Sequence, residues 1–176
     1  MLRYGGGDVE AFDVLYQRNK GPLFRYIVRL LGAGNTTEEL FQEVWASVIK
    51  ARTNYTPSAR FKTYLFHIAH NKVMDQLRHQ RISPVAPVVE DDPYEVYAAH
   101  SDHEPDQIVH RHTSMKRLFE VLDGLPEMQR EAFVMREESG LSVHEIAEAT
   151  GATPEAAKSR LRYAMAKLRE GLKDFV

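Results

Sequence analysis

Residues 142–172, SVHEIAEATGATPEAAKSRLRYAMAKLREGL, hold two helix starts separated by one tight stop. Ser142 precedes a short apolar-periodic run and is placed to accept from the free N–H groups of a first turn, and Gly151 ends that run. Thr153 then repeats the capping signal, with Pro154 at the first helical position, where its missing N–H removes no intrahelical bond. Two helices across a glycine turn make a helix-turn-helix, whose second helix is the one that enters a major groove.

At about 100° per residue the second helix gathers Ala157, Leu161, Ala164, Met165 and Leu168 on one side, which is expected to face a core. Glu155, Ser159 and Arg162 lie opposite, with Lys158 and Arg160 on the flanks. The N-terminal exposed side chains of a recognition helix read base edges and its cations anchor phosphates. Glu155 and Ser159 are therefore base-contact candidates, Lys158 and Arg160 phosphate anchors, and Arg162 suits either role. The plainer alternative is a solvated charged face on a bundle helix; the caps, the glycine turn and the one-sided charge together favour DNA.

Upstream the pattern is also helical, which makes the whole chain all-α. PEMQREAFVMREESG is expected as a helix with Pro126 in its first turn and Gly140 as its stop, preceded by a helix in MKRLFEVLDGL. The first stretch, from Phe12 to Leu31, reads as one helix or a pair broken near Gly21-Pro22. Asn35-Thr36-Thr37 followed by Glu38-Glu39 is a helix start, with Thr36 and Glu39 able to form a capping box, and Leu40, Phe41, Val44, Trp45, Val48 and Ile49 supply its apolar face. RTNYTPSAR reads as a loop, and Phe61 to Arg78 as a third helix with Leu65, Ile68, Ala69, Val73 and Leu77 aligned. On that helix Asn71, Lys72, Asp75 and Arg78 share a polar face, and aromatics near cations, Tyr64 among them, suit an unstacked single strand. The architecture expected is two small helical domains, 1–80 and 113–176, joined by a flexible acidic linker over 81–112.

Composition limits the function. The chain of 176 residues has no cysteine, so disulfides and thiolate metal sites are excluded and an oxidising compartment offers it nothing; a cytoplasmic location is expected. No apolar run is long enough for membrane insertion. The net charge of -2 is uneven: residues 1–80 hold 11 Lys/Arg against 7 Asp/Glu, residues 81–112 hold 2 against 7, and residues 158–173 hold 6 cations with Glu170 the sole acid. Such a basic stripe is a footprint for a polyanion. His100, His103, His110 and His112 lie in the polar linker without ligand spacing, and His144-Glu145 lacks the second histidine of a zinc hydrolase. With no phosphate-cradling glycine loop and no nucleophile–base set, neither an enzyme nor a cofactor is expected.

The order EELFQEVW, then FKTYLFHIAHNKVMDQLRH, then LPEMQREAFVMREESGLSVHEIAEATGATPEAAKSRLRYAMAKLRE resembles the extracytoplasmic-function (ECF) sigma factors of bacterial RNA polymerase across nearly the whole chain. The resemblance implies that residues 1–80 bind the polymerase clamp helices and open the minus-ten element, and that residues 113–176, which would meet the flap, read the minus-thirty-five element. It carries polymerase docking to Glu38, Glu39, Gln42 and Glu43, minus-ten recognition to Tyr64, Asn71, Lys72, Asp75 and Arg78, and capture of a flipped base to the loop from Arg52 to Arg60. Minus-thirty-five contacts fall to Glu155, Lys158, Ser159, Arg160 and Arg162.

Two departures from the family pattern stand out. Tyr64 occupies the place of a usual Trp and keeps an aromatic surface. The docking helix commonly starts with an acid, a small residue and two acids; here Thr36 takes the first acid's place, followed by Thr37, Glu38 and Glu39. A phosphoryl group on Thr36 or Thr37, supplied by a Ser/Thr kinase, would restore that charge where a helix N-terminus tolerates an anion best. A neutral cap is the plainer role for either threonine, and the family's usual switch is an anti-sigma factor. The competing function is a stand-alone helix-turn-helix regulator, separated from a sigma factor by its independence of core polymerase.

Overall fold

The computed structural model describes residues 1–82 and 108–173, without the side chains of residues 108–115. Among the described residues there are eight helices and no strand: α1 Leu2–Gly5, α2 Glu10–Leu31, α3 Asn35–Lys50, α4 Phe61–Ile82, α5 Ile108–Asp123, α6 Glu127–Ser139, α7 Val143–Ala149 and α8 Pro154–Gly171. Most of the expected linker, with His100 and His103, lies outside them, as do the side chains of His110 and His112. α5 starts at Ile108 and so takes residues 108–112 from the linker into a helix.

Local signals set most boundaries. Ser142 caps α7 by a full capping box: its hydroxyl accepts from the Glu145 N–H, while Glu145 accepts from the Ser142 N–H at 2.9 Å. Thr153 accepts from the Ala156 N–H at 3.2 Å, and Pro154 opens α8. Gly140 closes α6 at φ 68, the left-handed conformation in which a side chain would be strained. Those Ser142 bonds hold the Glu145 carboxyl below its ordinary range, the backbone N–H first, with Arg60 adding to them. That contribution is present above pH 4.5 and is lost as pH falls through the lowered value. Ser142→Ala is expected to cost about 1 kcal/mol in chemical denaturation at neutral pH, because the Glu145 N–H loses its acceptor.

α2 is one helix through Pro22, the first of the two alternatives, although the ring removes the N–H that would reach the Arg18 carbonyl. Three local expectations are corrected. α3 begins at Asn35 with Gly34 as its cap at φ 143 and no side-chain cap bond, so Thr36 sits inside the first turn and makes no capping box with Glu39. Pro126 is the residue before α6, not its first-turn member. Met165 and Ile49, expected in the core, are 38% and 44% exposed; on α8 Met165 lies about 80° round from Ala157, at the edge of the buried stripe.

In the N-terminal half Leu23, Tyr26 and Ile27 of α2, Val44 and Val48 of α3, and Leu65, Phe66 and Val73 of α4 are buried together. In the C-terminal half Leu122, Val134, Met135, Ile146, Ala157 and Ala164 do the same. The two sets belong to one continuous apolar cluster, because α2 packs on α6 and α4 on α7.

Candidate nucleic-acid interface

The acidic face of α3 is built by exclusion. Leu40, Val44, Trp45 and Val48 turn inward, which leaves Glu38, Glu39, Gln42 and Glu43 exposed on the other side. Thr36 is exposed at the head of this face. Thr37 is 2% exposed, and its hydroxyl donates to the Gly32 carbonyl at 2.6 Å, tying α3 to the end of α2.

The structure joins this face to the polar side of α4. Lys72 Nζ donates to Glu43 Oε2 at 2.7 Å, and a polar groove of ≈ 230 Å³ between the helices is walled by Thr36, Glu39, Glu43, Lys72, Asp75 and His79. Further along α4, Arg78 pairs with Asp75 at 2.8 Å. Asn71 Nδ2 donates to the His67 Nε2 at 3.2 Å, while His67 Nδ1–H donates to the Ala149 carbonyl at 2.9 Å. A carbonyl only accepts, so the His67 nitrogen facing Ala149 is the donor.

At the start of α4, Tyr64 meets Tyr55 of the preceding loop edge to face at 5.0 Å, with Phe61 tilted beside it at 6.4 Å. Burial pushes both tyrosine hydroxyls above their ordinary range. Tyr55, Pro57, Ala59 and Phe61 also form one wall of a groove of ≈ 490 Å³ whose other wall is α1 and the start of α2. Tyr55 carries no periodic signal in its loop and lies within the Arg52–Arg60 span; the spatial pairing with Tyr64 is what singles it out.

On α8 the burial of Ala157, Ala164 and Leu168 leaves Glu155, Lys158 and Arg162 exposed, with Ser159 and Arg160 half-buried on the same helix. The Arg162 guanidinium lies over the Tyr163 ring at 5.1 Å, and Tyr163 is itself 52% exposed. The turn from Thr150 through Gly151 to Thr153 sets α8 across α7, the arrangement that presents a helix N-terminus to a groove.

Between the halves lies a polar interface that single residues of the sequence did not announce. Tyr26 Oη and the His70 Nδ1–H both donate to Glu131 Oε1, at 2.7 and 2.6 Å, where Glu131 is fully buried. Glu138 receives Arg25 at 2.7 Å and Arg29 at 3.0 Å. Lys62 Nζ donates to the Ser139 carbonyl at 2.8 Å, and Arg60 and Arg81 pair with Glu145 and Glu127 at 3.3 and 2.5 Å.

Among the described residues an all-helical arrangement with an acidic face, an aromatic-and-cation helix and a C-terminal helix-turn-helix is that of a helical DNA-binding protein. Residues 15–82 match the family model for Sigma-70 region 2 and residues 115–168 that for Sigma-70, region 4. The chain is 34% identical to the RNA polymerase sigma factor CarQ of Myxococcus xanthus over 97% of this chain and 94% of that protein. It is 28% identical to the ECF RNA polymerase sigma factor SigK of Mycolicibacterium vanbaalenii, over 94% and 83% of the two. In fold it is similar to the sigma factor RpoE in complex with the anti-sigma factor NepR from Bartonella quintana, with a TM-score of 0.70, 21% identity, and 94% and 98% of the chains covered. CnrH in complex with the cytosolic domain of CnrY gives a TM-score of 0.68 at 22% identity, with 98% and 94% covered. The chain belongs to the ECF sigma factors, which initiate transcription and are not enzymes. No described helix is long and apolar enough to cross a membrane.

Proposed function

We propose that this sigma factor docks on the clamp helices of core RNA polymerase through Glu38, Glu39, Gln42 and Glu43, with residues 1–80 as the docking and melting domain and 113–176 as the minus-thirty-five domain, in reach of the flap. The observation that carries this is the single exposed acidic face of α3, coupled to α4 through Glu43 and Lys72. Tyr64, Asn71, Lys72, Asp75 and Arg78 serve the minus-ten element, with Tyr55 and Tyr64 as the flat surface against which an extruded base stacks. Glu155, Lys158, Ser159, Arg160 and Arg162 serve the minus-thirty-five element.

Docking is charge-dependent, and the head of the acidic face carries Thr36 in place of an acid. A phosphoryl group adds about -1.5 to -2 charges there. Thr36 is the acceptor on this reading, because its side chain is exposed whereas the Thr37 hydroxyl is buried against Gly32. Control by a Ser/Thr kinase then sets polymerase affinity, and control by an anti-sigma factor is the alternative that the names of the structural neighbours favour. Affinity for an isolated clamp-helix fragment is expected to rise about tenfold from wild type to the Thr36-phosphorylated chain, to rise less for Thr36→Asp and to stay low for Thr36→Ala. Equal affinities across the series would remove the kinase from the account.

A further inference from the structure

α1 reaches across to the start of the loop that joins α3 to α4. Gly5 packs so closely there that a Cβ built on it would stand 2.8 Å from the Arg52 carbonyl oxygen, a distance no side chain tolerates against backbone. One residue earlier Tyr4 is buried, and the Arg52 guanidinium lies over its ring at 5.6 Å. The Tyr4 ring rests in turn on Phe12 at 5.1 Å, and Phe12 meets Trp45 of α3 edge to face at 5.8 Å. α1 is also fastened to α2, because Arg3 pairs with Asp8 at 2.6 Å and Asp8 accepts from the Ala11 N–H at 3.1 Å. A helix of four residues held in this way is a built element, not a frayed end.

What it holds is the origin of the loop. The Arg52 N–H donates to the Ile49 carbonyl at 3.2 Å and the Asn54 N–H to the Ala51 carbonyl at 3.1 Å, so the first loop residues form a tight turn on the end of α3. A shift at Arg52 is therefore carried to Tyr55, which stands edge to face with Tyr64. Beyond Arg52 the loop and α1 part, and the groove of ≈ 490 Å³ opens between Leu2 and Arg3 on one wall and Tyr55, Pro57 and Ala59 on the other. The contact at Arg52 thus sets how far the Tyr55 wall stands from α1.

We propose that α1 is a buttress for the base-capturing loop, in which Gly5 and Tyr4 are positioning residues: they fix where Arg52 leaves α3, hence where Tyr55 stands beside Tyr64, and so the base preference at the captured position of the minus-ten element. The proposal rests on reading the Arg52–Arg60 loop as the one that captures a base. A binding constellation discriminates only when it is held to within about 0.5 Å of its working geometry, which a direct backbone contact supplies. Neither residue needs to touch DNA.

Holoenzyme assembled from core polymerase and each variant, given a duplex promoter library randomised over the minus-ten and minus-thirty-five elements, reads the proposal from sequenced transcripts. Wild type should favour one base at the captured position, and Gly5→Ala should lower that preference about tenfold while minus-thirty-five preference and core affinity stay within about twofold. Gly6→Ala is the matched control: its added Cβ meets only carbonyls of α1, at 3.4 and 3.6 Å, and it should behave as wild type. Equal minus-ten preference in Gly5→Ala and wild type overturns the buttress. A fall of the same size in Gly6→Ala, or loss of both preferences together, overturns it too, since either marks loss of fold rather than of position. Should Gly5→Ala fail to fold, Tyr4→Leu removes the ring beneath Arg52 and keeps an apolar side chain on Phe12. It should lower the minus-ten preference about threefold, and Tyr4→Phe, which keeps the ring, should restore it; equal preference in these two variants overturns the proposal. A wild type with no preference at any minus-ten position overturns the base-capturing reading itself, and the buttress with it.

Discussion

Phe66→Ala is expected to lower the unfolding free energy by about 3–5 kcal/mol, the cost of deleting a fully buried aromatic side chain together with the cavity it leaves. Phe66 is 0% exposed and its ring meets Tyr26 edge to face at 5.2 Å, so the substitution also removes one wall of the site that holds the Tyr26 hydroxyl on Glu131. Against a typical total of about 5–15 kcal/mol for a domain, this leaves a partly unfolded population at moderate temperature. Phe66→Leu keeps most of the volume and should cost about 1–2 kcal/mol. Urea titration followed by circular dichroism separates the two; a loss below about 1 kcal/mol for the alanine variant would mean that α4 is not the centre of the N-terminal core.

The second large effect concerns function without loss of fold. Glu38→Lys, Glu39→Lys and Glu43→Lys together should weaken binding to core polymerase about 100-fold. Neutralising one exposed ion pair costs about 0.2–1 kcal/mol, reversal roughly doubles that, and three positions reach about 3 kcal/mol. All three side chains are exposed, so the helix content should not change. Glu43→Lys also sets a cation against Lys72, whose Nζ lies 2.7 Å from the carboxylate it now holds, and the α3–α4 groove should loosen locally. The loss of affinity should shrink at high salt, as an electrostatic contact requires. An unchanged affinity of the triple variant would show that docking uses another surface.

Much of this structure is legible in the sequence because it is written locally. Ser142, Gly151, Thr153 and Pro154 specify the helix-turn-helix within a span of a few residues, and each keeps its expected place. The inward faces of α3 and α4 follow from a 3.6-residue period, and errors fall where a period is least decisive, at stripe edges such as Met165 and Ile49. The start of α3 was misplaced because Gly34 satisfies the geometry through its backbone alone, so the more conspicuous threonines look like the cap. What the sequence hides is long-range. Glu131 and Glu138 sit in a helix rich in exposed charge, and nothing at their own positions distinguishes them from Glu137; only the folded chain brings Tyr26, His70, Arg25 and Arg29 to them. The candidate positions rest on family resemblance and the polar faces of helices, whereas the Tyr55–Tyr64 pair needs three dimensions.

Core RNA polymerase supplied with this chain, as wild type and as Thr36→Asp, and a library of promoter sequences provides the most direct test of the central claim. Run-off transcripts should start at a defined distance from one enriched pair of elements, they should require both core enzyme and chain, and the triple lysine variant should abolish them. Failure of both forms to direct any transcript, together with a duplex footprint by the chain alone, would contradict the account and mark the protein as a stand-alone regulator.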